Sequence, residues 1–230
     1  MNAFLPVSGP LPGRPLNGLT VLVVEDSRFA CDAMRLMCLR SGARIRRADC
    51  LRSARRHLQT YRPTVVVVDL GLPDGSGLDL IAELAALHPR VPALLATSGD
   101  IGLERSALAA GADGFLAKPL ESLAVFQSAI LAALPDASRR PITPSAGDLV
   151  RPDMMALRDD LAHAAELLRA AKGAEVGYVA QFLSGLGRSA HDSALSEAAA
   201  SLAHGQKDGL SRLSGLVADR LAAGNGGSVL

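Results

Sequence analysis

Cysteine is scarce in this chain, with three in 230 residues. Cys31 and Cys38 fall seven apart on one expected helix and Cys50 begins the next, which suits buried reduced thiols rather than a disulfide framework or a cysteine metal site. Long hydrophobic runs are missing too. No apolar stretch approaches the ~18 residues of a membrane span, and the opening Met-Asn-Ala-Phe lacks a basic segment followed by an apolar one. A cytoplasmic protein with no membrane contact is expected. Nor is there a large charge of either sign: the formal net charge is +1. Its two halves differ, however, with sixteen Lys and Arg against thirteen Asp and Glu over residues 1–140, and eight against ten over 141–230. The acidic balance of the second part makes DNA an unlikely partner there, because phosphate contacts need clustered Lys and Arg.

What the chain does have is a repeated alternation of apolar runs and helical stretches. Residues 1–17 carry four prolines without periodicity and read as a disordered lead-in. "LTVLVVED" (19–26) reads as a buried strand, 28–41 as a helix, "ARIRRA" as a weak strand, and 51–60 as a short helix. "TVVVVDL", a helix near 77–87, "PALLAT", a helix at 103–110, "GFLAK" and a helix at 121–134 follow. Five strand-then-helix repeats, whose strands are Val and Leu without polar alternation, predict a parallel sheet covered on both faces, an open doubly wound α/β domain over 18–135.

In such a sheet, working residues collect at the carboxyl ends of the strands. Here those ends carry Glu25 and Asp26, then Asp69, then Thr97 and Ser98, then Lys118 followed by Pro119. Three acids close together repel one another, and burial adds to the cost unless a hard cation offsets them. Magnesium suits oxygen ligands and leaves a position for a phosphoryl oxygen. A carboxylate beside such an ion, with a lysine near by, has what it needs to accept a phosphoryl group. Taken singly, Asp69 is also compatible with a helix cap, and Glu25-Asp26-Ser27 with the start of the first helix.

Together the acidic pair Glu25-Asp26, "DLGLPDGSG" after the third strand, Thr97, Phe115 and Lys118-Pro119 resemble the receiver domain of two-component response regulators, over 19–134, about half the chain. The resemblance implies a flavodoxin-like five-stranded sheet in order 2-1-3-4-5. It implies Asp69 as phosphoacceptor from a histidine kinase or phosphotransfer protein, with Mg2+ held by Glu25, Asp26, Asp69 and the backbone carbonyl of Gly71. Lys118 would pair with the acyl phosphate, Thr97 would hydrogen-bond it, and Phe115 would be the aromatic that follows the Thr97 movement. The segment from Thr97 to Lys118 is one residue shorter than the family's, so Thr97 and Ser98 both stand as the phosphate contact. No enzyme activity beyond self-phosphorylation and slow self-dephosphorylation is implied.

Two receiver features point outward. Arg44, Arg46, Arg47, Arg52, Arg55 and Arg56 crowd one short span and read as a solvated edge, with an acidic docking partner as the alternative. The helix at 121–134 has no charge between Glu121 and Asp136, so something should cover it on more than one side. In the family, the face of the fourth helix, fifth strand and fifth helix often pairs, which fits a homodimer or a docked C-terminal module equally.

Residues 136–152 read as a Pro-rich linker and 153–224 as a small all-α bundle of four short helices, with 225–230 a tail. Apolar residues recur at spacings of three and four from Met154 to Ala171 and from Val176 to Leu186; Ser189 with Asp192 reads as the cap of a third helix, and a fourth runs over 209–223. His204 in "AHGQKD" faintly resembles a phosphotransfer motif and His163 lies on a plausible helix, but both read better as ordinary surface or core histidines. The expected function is a phosphorelay response regulator whose bundle is an interaction or dimerisation module. The alternatives are a transcriptional regulator with an atypical helical DNA-binding domain and a phosphotransfer shuttle.

Overall fold

A computed structural model describes residues 14–135, 149–170, 175–203 and 209–223. The first part alternates strand and helix: β1 (Thr20–Val24), α1 (Arg28–Ser41), β2 (Arg44–Ala48), α2 (Leu51–Thr60), β3 (Val65–Asp69), α3 (Gly77–Ala85), β4 (Ala93–Ser98), α4 (Glu104–Ala109), β5 (Gly114–Ala117) and α5 (Leu123–Ala133). All five strands are parallel, in spatial order β2-β1-β3-β4-β5. That is the flavodoxin-like, doubly wound order, and it turns back between β1 and β3, where a crevice opens at the carboxyl ends. The four valines of β3 are fully buried because helices cover both sheet faces.

Edges and caps follow from local chemistry. β2 is an edge strand, and Arg44, Arg46 and Arg47 are exposed on it, as the solvated-edge reading expects. Helix α1 begins at Ser27, whose hydroxyl accepts from the Ala30 amide at 3.1 Å. Cys31 and Cys38 are buried free thiols, and burial pushes each up to about 12, so neither is a reactive thiolate at neutral pH.

Three boundaries differ from expectation. Of the lead-in, residues 1–13 lie outside the described residues, but Leu16 is fully buried and its amide donates to the Ser41 carbonyl at 3.0 Å. Of the linker, 136–148 lie outside them, yet Val150 is buried and its amide donates to the Glu121 carbonyl at 2.9 Å. These two segments join the core that holds Phe126, Ile130 and Leu131 of α5, so chain termini of the domain supply part of the cover that the uncharged helix needed. The helix expected at 103–110 is preceded by a 3-10 turn at Ile101–Leu103 and starts at Glu104.

The second part is helical: α6 (Met154–Ala170), α7 (Glu175–Ser189), α8 (Ser193–Ala203) and α9 (Gly209–Ala223). The helices pack around a core that includes Leu161, Leu183, Leu195 and Leu213. Ser189 ends α7 instead of capping α8. Asp192 is the cap, its carboxylate accepting from the Leu195 amide at 3.0 Å. No helix among the described residues is long and apolar enough to cross a membrane.

The bundle docks on α1 and on the carboxyl edge of the sheet rather than on the α4/β5/α5 face. Phe29 of α1 inserts into the bundle core. Beside it the buried Asp160 of α6 accepts from Ser27 Oγ at 2.8 Å and from the amides of Arg28 and Phe29, both at 3.0 Å. A carboxylate from another element thus sits on the positive end of α1 and satisfies donors that a helix leaves open there. On the other face Val125 of α5 stays 57% exposed.

Candidate functional site

β1 runs four buried apolar residues into Glu25 and Asp26, and β3 four into Asp69, so the parallel register of the two strands delivers three carboxylates to one edge. Lys118, directly after β5, reaches back across the same edge. Its ammonium lies 2.7 Å from Glu25 Oε2 and 2.9 Å from Asp69 Oδ2, with its side chain 6% exposed. Glu25 Oε1 accepts the Ser27 amide at 3.2 Å, while Oε2 makes no geometrically good hydrogen bond and is held by the ion pair.

The loop after β3 is shaped for this edge. Gly71–Leu72 and Gly75–Ser76 form a short antiparallel ladder, and Ser76 caps α3. A Cβ on Gly77 would overlap the Asp69 carbonyl oxygen, so glycine there is a condition of the loop folding back beneath the acceptor. Asp74 turns away and caps α2, accepting from the Leu51 and Arg52 amides at 2.8 and 3.0 Å.

Electrostatics follow from burial. Glu25 is held well above its ordinary 4.5, first by desolvation and then by the Asp69 charge. Asp26 is pushed up to about 6 by the same two causes. Burial works to lower Lys118, but the charges of Asp69 and Glu25 outweigh it and raise its pKa, so the ammonium stays charged. Glu25, Asp26 and Asp69 each offer an oxygen within 4.8 Å of the others. Three hard oxygen donors and three negative charges against one ammonium fit a divalent cation such as Mg2+, and the Gly71 backbone borders the same space.

Of the two hydroxyls at the end of β4, Ser98 lines that space, and its Oγ also accepts the Asp100 amide at 3.0 Å. Thr97 is fully buried beside Asp69 in register and donates to the Leu116 carbonyl at 2.8 Å. Phe115 is half-buried against the sheet core. His163 is exposed on α6, with its ring edge-on to Phe182, and His204 lies outside the described residues.

What sequence reasoning missed is the seat of α7. It crosses the mouth of the site, enclosing a cavity of about 370 Å³ between itself, α8 and the acidic cluster. Tyr178 donates its phenol proton to Asp26 Oδ2 at 2.7 Å, and burial together with Asp26 raises the Tyr178 pKa. The Gln181 amide lies against Gly71, and the Arg188 side chain lies over Gly99, two places where a side chain on the receiver part would stand in the way. Tyr178, Gln181, Gly185 and Arg188 recur at spacings of three and four on the face opposite the apolar stripe of α7. That second stripe is the one sequence signal available, and it names no partner.

A doubly wound sheet with three carboxylates and a buried ammonium at its switch point defines a phosphoacceptor-type signalling domain. Residues 21–130 match the response regulator receiver domain family, and this part of the chain is a receiver domain of two-component systems. The chain is 38% identical over 108 residues to the Probable transcriptional regulatory protein TcrX of Mycobacterium tuberculosis, covering 46% of this chain and 45% of TcrX. It is 36% identical over 105 residues to the transcriptional regulatory protein CreB of Escherichia coli, 44% of each. Among solved structures it is similar to the signal receiver domain of a signal transduction histidine kinase from Syntrophus aciditrophicus, at 22% identity and a TM-score of 0.47, over 56% of this chain and 99% of that one. The matches span less than half the length of the two regulators, and α6–α9 fall outside the matched family residues.

Proposed function

We propose that the chain is a response regulator of a phosphorelay, in which Asp69 accepts a phosphoryl group from a histidine kinase or phosphotransfer protein and the change alters the interactions of the helical module. The observation that carries the reading is the single ammonium of Lys118 between Glu25 and Asp69 at the end of β3. An Asp69 carboxylate oxygen attacks phosphorus in line, the P–N bond to the donor imidazole breaks, and its electron pair stays on the imidazole nitrogen. Glu25, Asp26, Asp69 and the Gly71 carbonyl would hold Mg2+, which offsets charge on the phosphoryl oxygens. Lys118 moves from the carboxylate to the new dianion, and Thr97 or Ser98 supplies a hydroxyl to it; Phe115 follows Thr97. Intact-mass measurement of the full chain with acetyl phosphate and magnesium tests this: one phosphoryl group is expected, lost without magnesium or in Asp69→Ala, and no gain in the wild type refutes it.

A second reading, phosphoryl exchange with a histidine of the module, is favoured by His163 of α6, which lines a cavity that Asp26 also borders. Acid-labile phosphate that vanishes in His204→Ala or His163→Ala would support it. The relatives are transcriptional regulatory proteins by name, which also brings in transcription, and salt-sensitive binding of the full chain to duplex DNA would support it.

A further inference from the structure

The cavity between the acidic cluster and α7 is bordered by a cation that nothing yet uses. Arg188 is half-buried there and makes no ion pair among the described residues, although Glu25, Asp26 and Asp69 border the same space. Its side chain passes close over Gly99: a methyl group at that position would lie 3.2 Å from both Arg188 Cδ and Nη1. The three carboxylates already have Lys118, and a divalent cation would bring their formal charge to zero. Phosphorylation turns the single charge of Asp69 into roughly two, so one negative charge is then unmet in a space walled by α7 and α8. A planar guanidinium is the side chain best suited to two phosphoryl oxygens at once.

We propose that Arg188 is a ligand of the aspartyl phosphate, contributed to the phosphoacceptor site by the helical module, so that phosphorylation of Asp69 tightens α7 on the receiver domain. This deepens the function proposed above and rests on Asp69 being the acceptor. The partner of Arg188 is a phosphoryl dianion on the chain itself. A cation that draws Asp26 away from Tyr178 loosens one end of the α7 contact, and the phosphoryl group restores a contact about three turns further along.

The test uses the full chain as wild type, Arg188→Ala and Arg188→Lys, each treated with acetyl phosphate and magnesium. Intact mass reports incorporation and its decay after desalting, and amide exchange reports protection across residues 175–189. Expected is one phosphoryl group in all three, with phosphorylation slowing α7 exchange about tenfold in the wild type, less in Arg188→Lys and not in Arg188→Ala. The phosphoryl group should also decay faster in Arg188→Ala. Equal phosphorylation-dependent protection in wild type and Arg188→Ala overturns the proposal while leaving Asp69 as acceptor. Loss of α7 protection in Arg188→Ala before any treatment makes Arg188 a structural residue and also overturns it. No mass gain in the wild type overturns this proposal and the proposed function together.

Discussion

Tyr178→Phe should tighten magnesium binding about tenfold. The phenol donates 2.7 Å to Asp26 Oδ2, one of the three carboxylates that a cation would use. A hydrogen bond to a charged group contributes ~1.5–3 kcal/mol to whatever state contains it. Tyr178 is half-buried and Asp26 keeps a second oxygen, so the low end applies, about 1.5 kcal/mol, which is close to one decade in affinity. Because the bond belongs to the metal-free state, its removal makes the competing state cheaper to reach. Isothermal titration of magnesium into the full-length wild type and variant reads the difference directly. The chain has no tryptophan and only two tyrosines, so Tyr61→Phe leaves Tyr178 as the sole emitter, and its fluorescence should change as magnesium is added. Equal or weaker affinity in Tyr178→Phe would mean that Asp26 serves phenol and cation at once, and the competition would be refuted.

Four further outcomes follow from the same contacts. Lys118→Ala leaves Glu25 and Asp69 without their buried counter-ion and should cost about 3 kcal/mol in urea unfolding, partly recovered by magnesium; an unchanged midpoint would contradict the ion-pair account. Asp160→Ala removes the carboxylate that Ser27, Arg28 and Phe29 share, at about 2 kcal/mol, and should split urea unfolding into separate receiver and module transitions; one shared transition would show that Phe29 packing suffices. Gly77→Ala should destabilise by about 2 kcal/mol because the new methyl group meets the Asp69 backbone, whereas Gly71→Ala meets only the mobile end of Gln181 and should stay within about 0.5 kcal/mol; comparable thermal midpoints would argue against the loop geometry. Asp192 is depressed below its ordinary 3.8, first by its hydrogen bonds from Arg220, so its stabilisation of the module is present above that value and lost as pH falls through the lower folded pKa. Asp192→Asn should flatten the acid limb seen by circular dichroism, and an unaltered limb would assign acid sensitivity elsewhere.

Much of the receiver half was legible because its signals are local. A strand buried on both faces reads as an uninterrupted apolar run, and a run that ends in Asp or Lys announces a residue carried to the sheet edge, as at Asp69 and Lys118. Leu16 and Val150 were not legible, since one or two apolar residues among proline, glycine and polar neighbours have no period to mark them. The choice between Thr97 and Ser98 also lay beyond the pattern. Both fall at the end of β4, and alternation along a strand sends one hydroxyl to the Leu116 carbonyl and the other to the cavity.

The four helices of the second part were readable from their apolar stripes, but their seat was not. Ser27 meets Asp160 across 133 positions and Asp26 meets Tyr178 across 152, and neither pair leaves a periodic trace. The sequence by itself determined the elements and the acidic edge with its lysine, because each depends on hydrophobic period and on where a run stops, while the strand order came only with the family resemblance. Only the tertiary structure decided that α7 lies across that edge, because docking depends on two surfaces matching in shape and charge, and a chain records its surfaces one residue at a time.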